Sequence, residues 1–574
     1  MRHGRDLGFR FLFACSVLAF PLAGPARRVE PADLVLTNGK IVTVDQARPE
    51  VQALAVRGDT IVASGTIDEI KPYISEKTQV IDLGGKLAIP GFIDSHLHFT
   101  GIGQNKMELD LMKARSFDEI VAMVAEAVKK AKPGELISGR GWHQEKWNKV
   151  PEPNVEGFPT HDALSKVSPD NPVVLRHASG HATFANAKAM ELAGITSRTP
   201  NPPGGDILRD KKGSPIGVFR ENASSLLSKM YARLPQPTPA EREARARREI
   251  ELAAEECLRN GVTSVHDAGV GAQTIDRYKK MIDEGKLGVR MYAMLQDSNE
   301  SYARDLPSRR IIDYGNKHLT VRSIKKLIDG ALGSRTAWLL APYSDLPTST
   351  GIETDTVADI SETARLAIEN GFQLNVHAIG DRANRETLNI FEAAFKAHPD
   401  RKDLRWRIEH AQHIGAADIP RFGQLGVIAS MQAIHCTSDA PYVLLRLGPR
   451  RAEEGAYAWQ KLMKTGAVVA NGTDAPVEYV DTTAGFYALV TRRTKSGEAF
   501  FPDQKMSRAE ALAAYTLNGA YAAFEESSKG SLAPGKLADI AVLSKDLMTI
   551  PEQEILTTEV LYTIVGGKVA YRKQ

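Results

Sequence analysis

The chain is poor in cysteine. Its 574 residues contain only Cys15, Cys257 and Cys436, too few for a disulfide framework or a thiolate metal site. It also lacks a charge excess: 73 Lys and Arg stand against 70 Asp and Glu, a net +3 at pH 7. That balance argues against nucleic acid or another polyanion as partner. No apolar run is long enough for a comfortable bilayer span. The run at residues 11–20 is short, follows Arg2, Arg5 and Arg10, and precedes the small residues Ala23, Gly24 and Ala26. This is the layout of an export signal. Residues 1–26 are therefore expected to be a cleaved signal peptide, and the mature protein to be periplasmic or secreted, with no stable membrane insertion. No Cys follows the small residues, which argues against a lipid anchor. Internal repeats and low-complexity tracts are absent too.

What is present is an ordinary soluble composition, 43% hydrophobic and 25% charged, at a length suited to one large or two modest domains. Both ends are rich in short strands. Residues 33–44 read as two strands joined by an Asn38-Gly39 turn, with further strands at 51–56 and 60–64. The far end has an apolar strand after the 530–536 turn and a hairpin on Gly566-Gly567. Neither end has strands enough for a stable sheet alone. Together, 30–88 and 530–574 predict one small β-sandwich.

Between them, 89–529 alternates strand and helix patterns. Eight candidate strands lie at 87–94, 262–267, 289–295, 323–329, 373–377, 405–410, 427–432 and 467–472. Helical segments fall at 238–260, 360–370 and 385–397. The predicted fold class is α/β, a (β/α)8 TIM-like barrel, whose functional groups gather at the C-terminal strand ends. The interval after the first strand is far too long for one helix. It predicts an inserted subdomain, about 105–235, over the barrel mouth.

The strand ends carry the chemistry. The first ends in His96-Leu97-His98, whose imidazoles share one face at period 2. The fourth carries Lys325-Lys326, the fifth ends in His377, the sixth in His410, and the eighth in Gly472-Thr473-Asp474. Each alone has a plain structural reading, such as a core histidine or a helix-capping Asp474. Their convergence on one barrel face points to a metal site, since imidazole and carboxylate suit zinc and similar divalent ions.

These residues carry a resemblance. The stretch from Pro90 to His98 is similar to the metal-binding signature of the amidohydrolase superfamily. Segments 325–339, 375–382, 407–412 and 472–478 resemble its YtcJ-like branch, which includes N-substituted formamide deformylase, and the likeness spans nearly the whole mature chain. The resemblance implies two divalent metal ions, zinc the expected identity. His96, His98 and Asp474 would hold one and His377 and His410 the other. A lysine carbamate formed from CO2 would bridge them. Family members show Ile-Lys, three residues, then Asp-Gly, which Ile324 to Gly330 matches at Lys325; Lys325, Leu327 and Asp329 share a face that Lys326 does not. Lys325 is therefore the expected bridge. A metal-activated hydroxide would attack a carbonyl, with Asp474 as proton shuttle. The implied activity is hydrolysis of a non-peptide C–N bond (EC 3.5) in a small linear amide, such as an N-substituted formamide or N-acyl compound. The alternatives are a cyclic amidase or deaminase on the same centre, or an exported binding protein without catalysis. A homodimer stays open.

Other residues have two readings each. His181, and less so His177, would reach substrate from the insertion, His181 as a catalytic and substrate-binding group, or else be structural. Trp142 and His143 would wall the pocket, Trp142 equally as core. Arg335 and Asp381 would bind substrate or tie loops together. His266-Asp267 is expected to face the mouth behind the ligands, and His435 to lie at the mouth.

Overall fold

The computed structural model describes residues 29–574; the expected signal peptide, residues 1–26, lies outside them. The central sheet has eight parallel strands in chain order: β1 Phe92–Leu97, β2 Val262–Val270, β3 Arg290–Leu295, β4 Leu319–Leu327, β5 Gln373–Ala378, β6 Arg407–His410, β7 Ile428–Met431 and β8 Val469–Asn471. They read as continuous buried runs because both faces are covered. Valine, isoleucine and leucine from these strands, such as Val265, Val321, Leu374 and Ile408, join the largest apolar core with helix residues such as Ile250, Ile360 and Phe391. The helix Pro239–Arg259 starts where physics favours it. Thr238 and Glu241 form a capping box and Pro239 occupies the first turn, where no N–H is needed.

The barrel is closed at its mouth by side-chain and loop contacts rather than by a β8–β1 ladder. Asp474 N–H donates to the His96 carbonyl and His98 N–H to that of Ala475, each at 2.7 Å. Thr473 donates to the Asp94 carboxylate through its N–H (2.9 Å) and its hydroxyl (2.6 Å). Burial pushes the Asp94 carboxyl up to about 7 against those hydrogen bonds. The seam thus presses the loop after β8 onto the end of β1, which brings Asp474 to His96.

Two further sheets form the sandwich. One is Thr60–Gly65, Ala53–Arg57, Leu34–Thr37 and Gln79–Asp82. The other interleaves both ends of the chain: Leu87–Pro90 lies between Lys40–Val42 and Ile540–Leu543, and Val560–Val565 and Lys568–Arg572 follow. Leu36, Ile41, Leu54, Ala88, Ile540 and Ile564 fill the space between them.

This arrangement refines two expectations. Leu34–Thr37 and Lys40–Val42 are the two strands expected around Asn38-Gly39, but they belong to different sheets. The Asn38-Gly39 turn is a crossing, and a Cβ on Gly39 would stand 2.5 Å from Leu83 and 2.8 Å from the Lys86 carbonyl. The expected first barrel strand is two strands. Leu87–Pro90 belongs to the sandwich and β1 to the barrel, with Gly91 between, where a Cβ would meet Thr263 at 2.3 Å.

The insertion carries its own six-stranded sheet: Gly205–Arg209, Pro215–Glu221, Ala182–Ala185, Val173–His177, Ile137–Trp142 and Leu109–Asp110. It has separate apolar clusters around Phe158, Phe184 and Trp142 and around Phe219 and Met230. Its His143, Ser179 and His181 line one cleft together with His377, His410 and Asp474 of the barrel.

Candidate metal centre

Three expected ligands come together closely: one donor atom each of His96, His410 and Asp474 lies within 4.8 Å of the others. His96 is fully buried. Its Nδ1 meets Glu409 Oε2 at 2.5 Å, and its Nε2 faces Asp474 Oδ1 at 3.7 Å with no hydrogen-bond partner among the described residues. His98 Nε2 lies 3.3 Å from the same oxygen, on a ring 41% exposed. The His410 ring sits 4.6 Å from that of His96 and 4.5 Å from that of His377, and its Nδ1 is 2.6 Å from Gln432 Oε1. His377 Nε2 is 3.1 Å from the Gly330 carbonyl.

Strand alternation alone would turn Glu409 and His410 to opposite faces. Left-handed backbone at His410 (φ 74°) and Ala411 (φ 45°) breaks the period, so His410 lines the cleft while Glu409 meets His96 beneath it. Asp474 is left-handed as well (φ 56°).

Lys325 and Lys326 part company. Lys325 is 2% exposed, inside the barrel, level with Asn375 on β5. Lys326 points outward and pairs with Asp359 at 2.7 Å. Burial pulls the Lys325 ammonium down, against the attraction of Glu409 and Asp474.

The donor set suits a cation. Burial holds His377 and His410 well below the usual histidine range, and with the Lys325 charge it lowers His96 to about 4. These rings are neutral at pH 7, the form that offers a lone pair. Asp474 stays ionised; burial opposes this, but His435, His98 and His410 outweigh it. Its Oδ1 is buried without a hydrogen-bond partner among the described residues. Orphaned buried polar atoms are costly and call for a partner. His96 Nε2 and Asp474 Oδ1, facing each other, are such atoms, so the residues fit a divalent ion.

A cleft of about 450 Å³, open mouth included, lies over the cluster. His377, His410, His435 and Asp474 line it from the barrel, and His143, Lys146, Ser179 and His181 from the roof. His435 Nε2 is 3.3 Å from Asp474 Oδ2. His181 stands 5.0 Å, ring to ring, from His377, and its Nδ1 is 2.8 Å from Glu221 Oε2. Burial works against protonation of His181, but the Glu221 charge and hydrogen bond raise it overall. Glu221 has a left-handed backbone (φ 49°) and a second carboxylate oxygen with no partner, local strain of the kind that clusters at functional sites.

Six of the other residues singled out in the sequence do not line the cleft. Trp142 is 1% exposed in the insertion's core, donating from Nε1 to the Leu175 carbonyl, and does not line the cleft; its neighbour His143 does. A register shift at Gly141 (φ 111°) re-aims the strand between Arg140 and Trp142. Arg335 ties loops, donating to the Glu156 carbonyl and pairing with Asp345 at 3.0 Å. His177 is buried against Gln144 and Ser179. The His266-Asp267 pair splits: His266 meets Arg407 at 3.0 Å inside the barrel, and Asp267 accepts from Phe99 N–H and the Tyr278 hydroxyl. Asp381 accepts from Leu340 N–H, a loop tie as well. Sequence reasoning missed Glu409, Gln432 and Glu221. The available signal was a charged Arg407-Ile408-Glu409 run in a strand that must be buried.

An eight-stranded parallel barrel with imidazoles and a carboxylate gathered at its C-terminal strand ends has the site geometry of a barrel enzyme. A family model described as the amidohydrolase family matches residues 79–571, and the chain belongs to that family. It is 30% identical to the putative amidohydrolase YtcJ of Bacillus subtilis, over 93% of this chain and 99% of that protein. It is 27% identical to N-substituted formamide deformylase of Arthrobacter pascens, over 94% and 98%. Among solved structures it resembles an uncharacterized metal-dependent hydrolase from Pyrococcus horikoshii OT3, with a TM-score of 0.71 and 27% identity, covering 91% of this chain and 99% of that one.

Proposed function

We propose that this protein is a metal-dependent hydrolase of a non-peptide C–N bond in a small linear amide, an N-formyl or N-acyl compound. The observation that carries the reading is the facing pair of buried, unpartnered donors, His96 Nε2 and Asp474 Oδ1, with His410 beside them. The deformylase named among the relatives supports the amide class. His96, His98, Lys325, His377, His410 and Asp474 would hold two divalent ions, zinc the expected identity, with Lys325 as its carbamate. Once bound, the ions would make water acidic enough to serve as nucleophile near neutral pH and would polarise the substrate carbonyl.

The chain's own groups do the rest. The seam hydrogen bond from Asp474 N–H to the His96 carbonyl sets the carboxylate over the strand ends. With His98 beside Oδ1 and His435 beside Oδ2, each at 3.3 Å, the Asp474 carboxylate would take a proton from the attacking water and pass it to the leaving nitrogen. His181, braced by Glu221, meets the substrate from the roof opposite His377. Burial of Lys325 favours the neutral amine, the form that adds CO2. The test is an assay of metal-loaded protein against N-formyl, N-acyl amino-acid and cyclic amide panels. Metal-dependent turnover of linear amides is expected. Turnover confined to cyclic amides, or unaffected by chelation, would sink the proposal.

A further inference from the structure

His96 is gripped by a charged network that crosses the barrel interior beneath the mouth. Glu409 Oε2 stands 2.5 Å from His96 Nδ1, and both side chains are fully buried. Arg407, two residues earlier on β6, reaches the same carboxylate through Nε (2.7 Å) and Nη2 (3.0 Å). Its Nη2 also donates to the carbonyl of Ser95 (2.6 Å), the residue before His96, and to Ser430 Oγ on β7 (2.8 Å). Its Nη1 meets His266 on β2. The network therefore holds His96 twice, by its ring through Glu409 and by its backbone through Arg407.

A carboxylate only accepts, so the ring donates Nδ1–H to Glu409 and keeps its lone pair on Nε2. That nitrogen is the buried, unpartnered one facing Asp474. At His410 the corresponding Nδ1 partner is the neutral amide of Gln432, so the two rings are held by partners of different charge. We infer that Glu409 is a positioning residue: it fixes the tautomer and plane of His96 so that Nε2 is presented to a divalent cation, with Arg407 holding Glu409 in place. This rests on the metal-dependent reading proposed above. An outer carboxylate orients a ligating imidazole and raises its basicity, and losing one typically weakens metal binding 10- to 100-fold.

The experiment is a chelator competition for Zn2+ on the full-length wild type, Glu409→Gln and Glu409→Leu, each checked by its thermal melt. Glu409→Gln keeps the shape and removes the charge. It is expected to bind Zn2+ about 10- to 100-fold more weakly, and Glu409→Leu at least as weakly. Folded variants with wild-type affinity would overturn the inference. Should the variants fail to fold, histidine 15N NMR of the metal-free wild type decides. An Nδ1–H tautomer at His96 supports the role, and an Nε2–H tautomer overturns it. A wild type that binds no Zn2+ would instead bring down the functional reading itself.

Discussion

The floor and the roof of the cleft are built on different principles. The floor is the barrel: His96, His377, His410 and Asp474 stand at the ends of strands locked in one sheet, and one nitrogen of each imidazole is already engaged. The roof is an insertion with separate apolar clusters and its own sheet, offering His143, Lys146 and His181 to the cleft. In the proposed mechanism the floor holds metal and carries proton transfer, while the roof handles substrate. Barrel families vary function through loops laid over a constant scaffold, and here the variable part is a folded layer in its own right.

That division can be broken. The largest effect belongs to Asp474→Asn, which should lower kcat on the best amide of the panel by about 10²- to 10⁴-fold, the usual range for a lost acid–base group. Unchanged turnover would remove Asp474 from the chemistry. The two neighbouring lysines sharpen the inside–outside boundary of the floor. Lys325→Ala should lose bound metal on dialysis, read by elemental analysis. Lys326→Ala should keep it, surrendering one ion pair with the half-exposed Asp359, worth at most about 1 kcal/mol. Equal losses would refute the assignment. On the roof, Glu221→Gln should lower kcat/KM about tenfold or more by freeing His181, with metal content unchanged; a fall in metal content would erase the floor–roof distinction.

The smallest effect lies away from the cleft. Arg290 on β3 and Asp539 of the sandwich form a buried pair at 2.8 Å. Burial raises the Asp539 carboxyl, but Arg290 outweighs it and holds the folded value below the ordinary one. The pair's contribution is therefore complete above the unfolded carboxyl value, about pH 4, and drains away as pH falls through the folded value. Melting temperatures measured from pH 7 to pH 3 should drop less steeply for Asp539→Asn than for wild type. Parallel curves would show that the junction does not titrate.

The floor was the legible region. Strand ends bearing His96, His377, His410 and Asp474 stand out because buried strands seldom carry such groups without reason. Their second partners were hidden by local backbone. Period-2 reasoning sends Glu409 away from His410, and only a left-handed residue at the strand end brings both inward. The roof was harder for a related reason: the shift at Gly141 leaves Trp142 in the core and His143 on the cleft, and no periodicity shows which of two neighbours a bulge will turn outward. The crossing at Asn38-Gly39 shows the limit of turn chemistry. The dipeptide marks the reversal, but the strands it joins chose different partners.

The interleaved sheet sets an order on biosynthesis. Leu87–Pro90 feeds directly into β1, yet one of its two flanking strands, Ile540–Leu543, emerges from the ribosome some four hundred and fifty residues later. Until then an apolar strand stands with an open edge, the template on which chains pair wrongly. A product cut short before Ile540 would expose that edge permanently. Arrival of Ile540–Leu543 is thus the step that covers this edge.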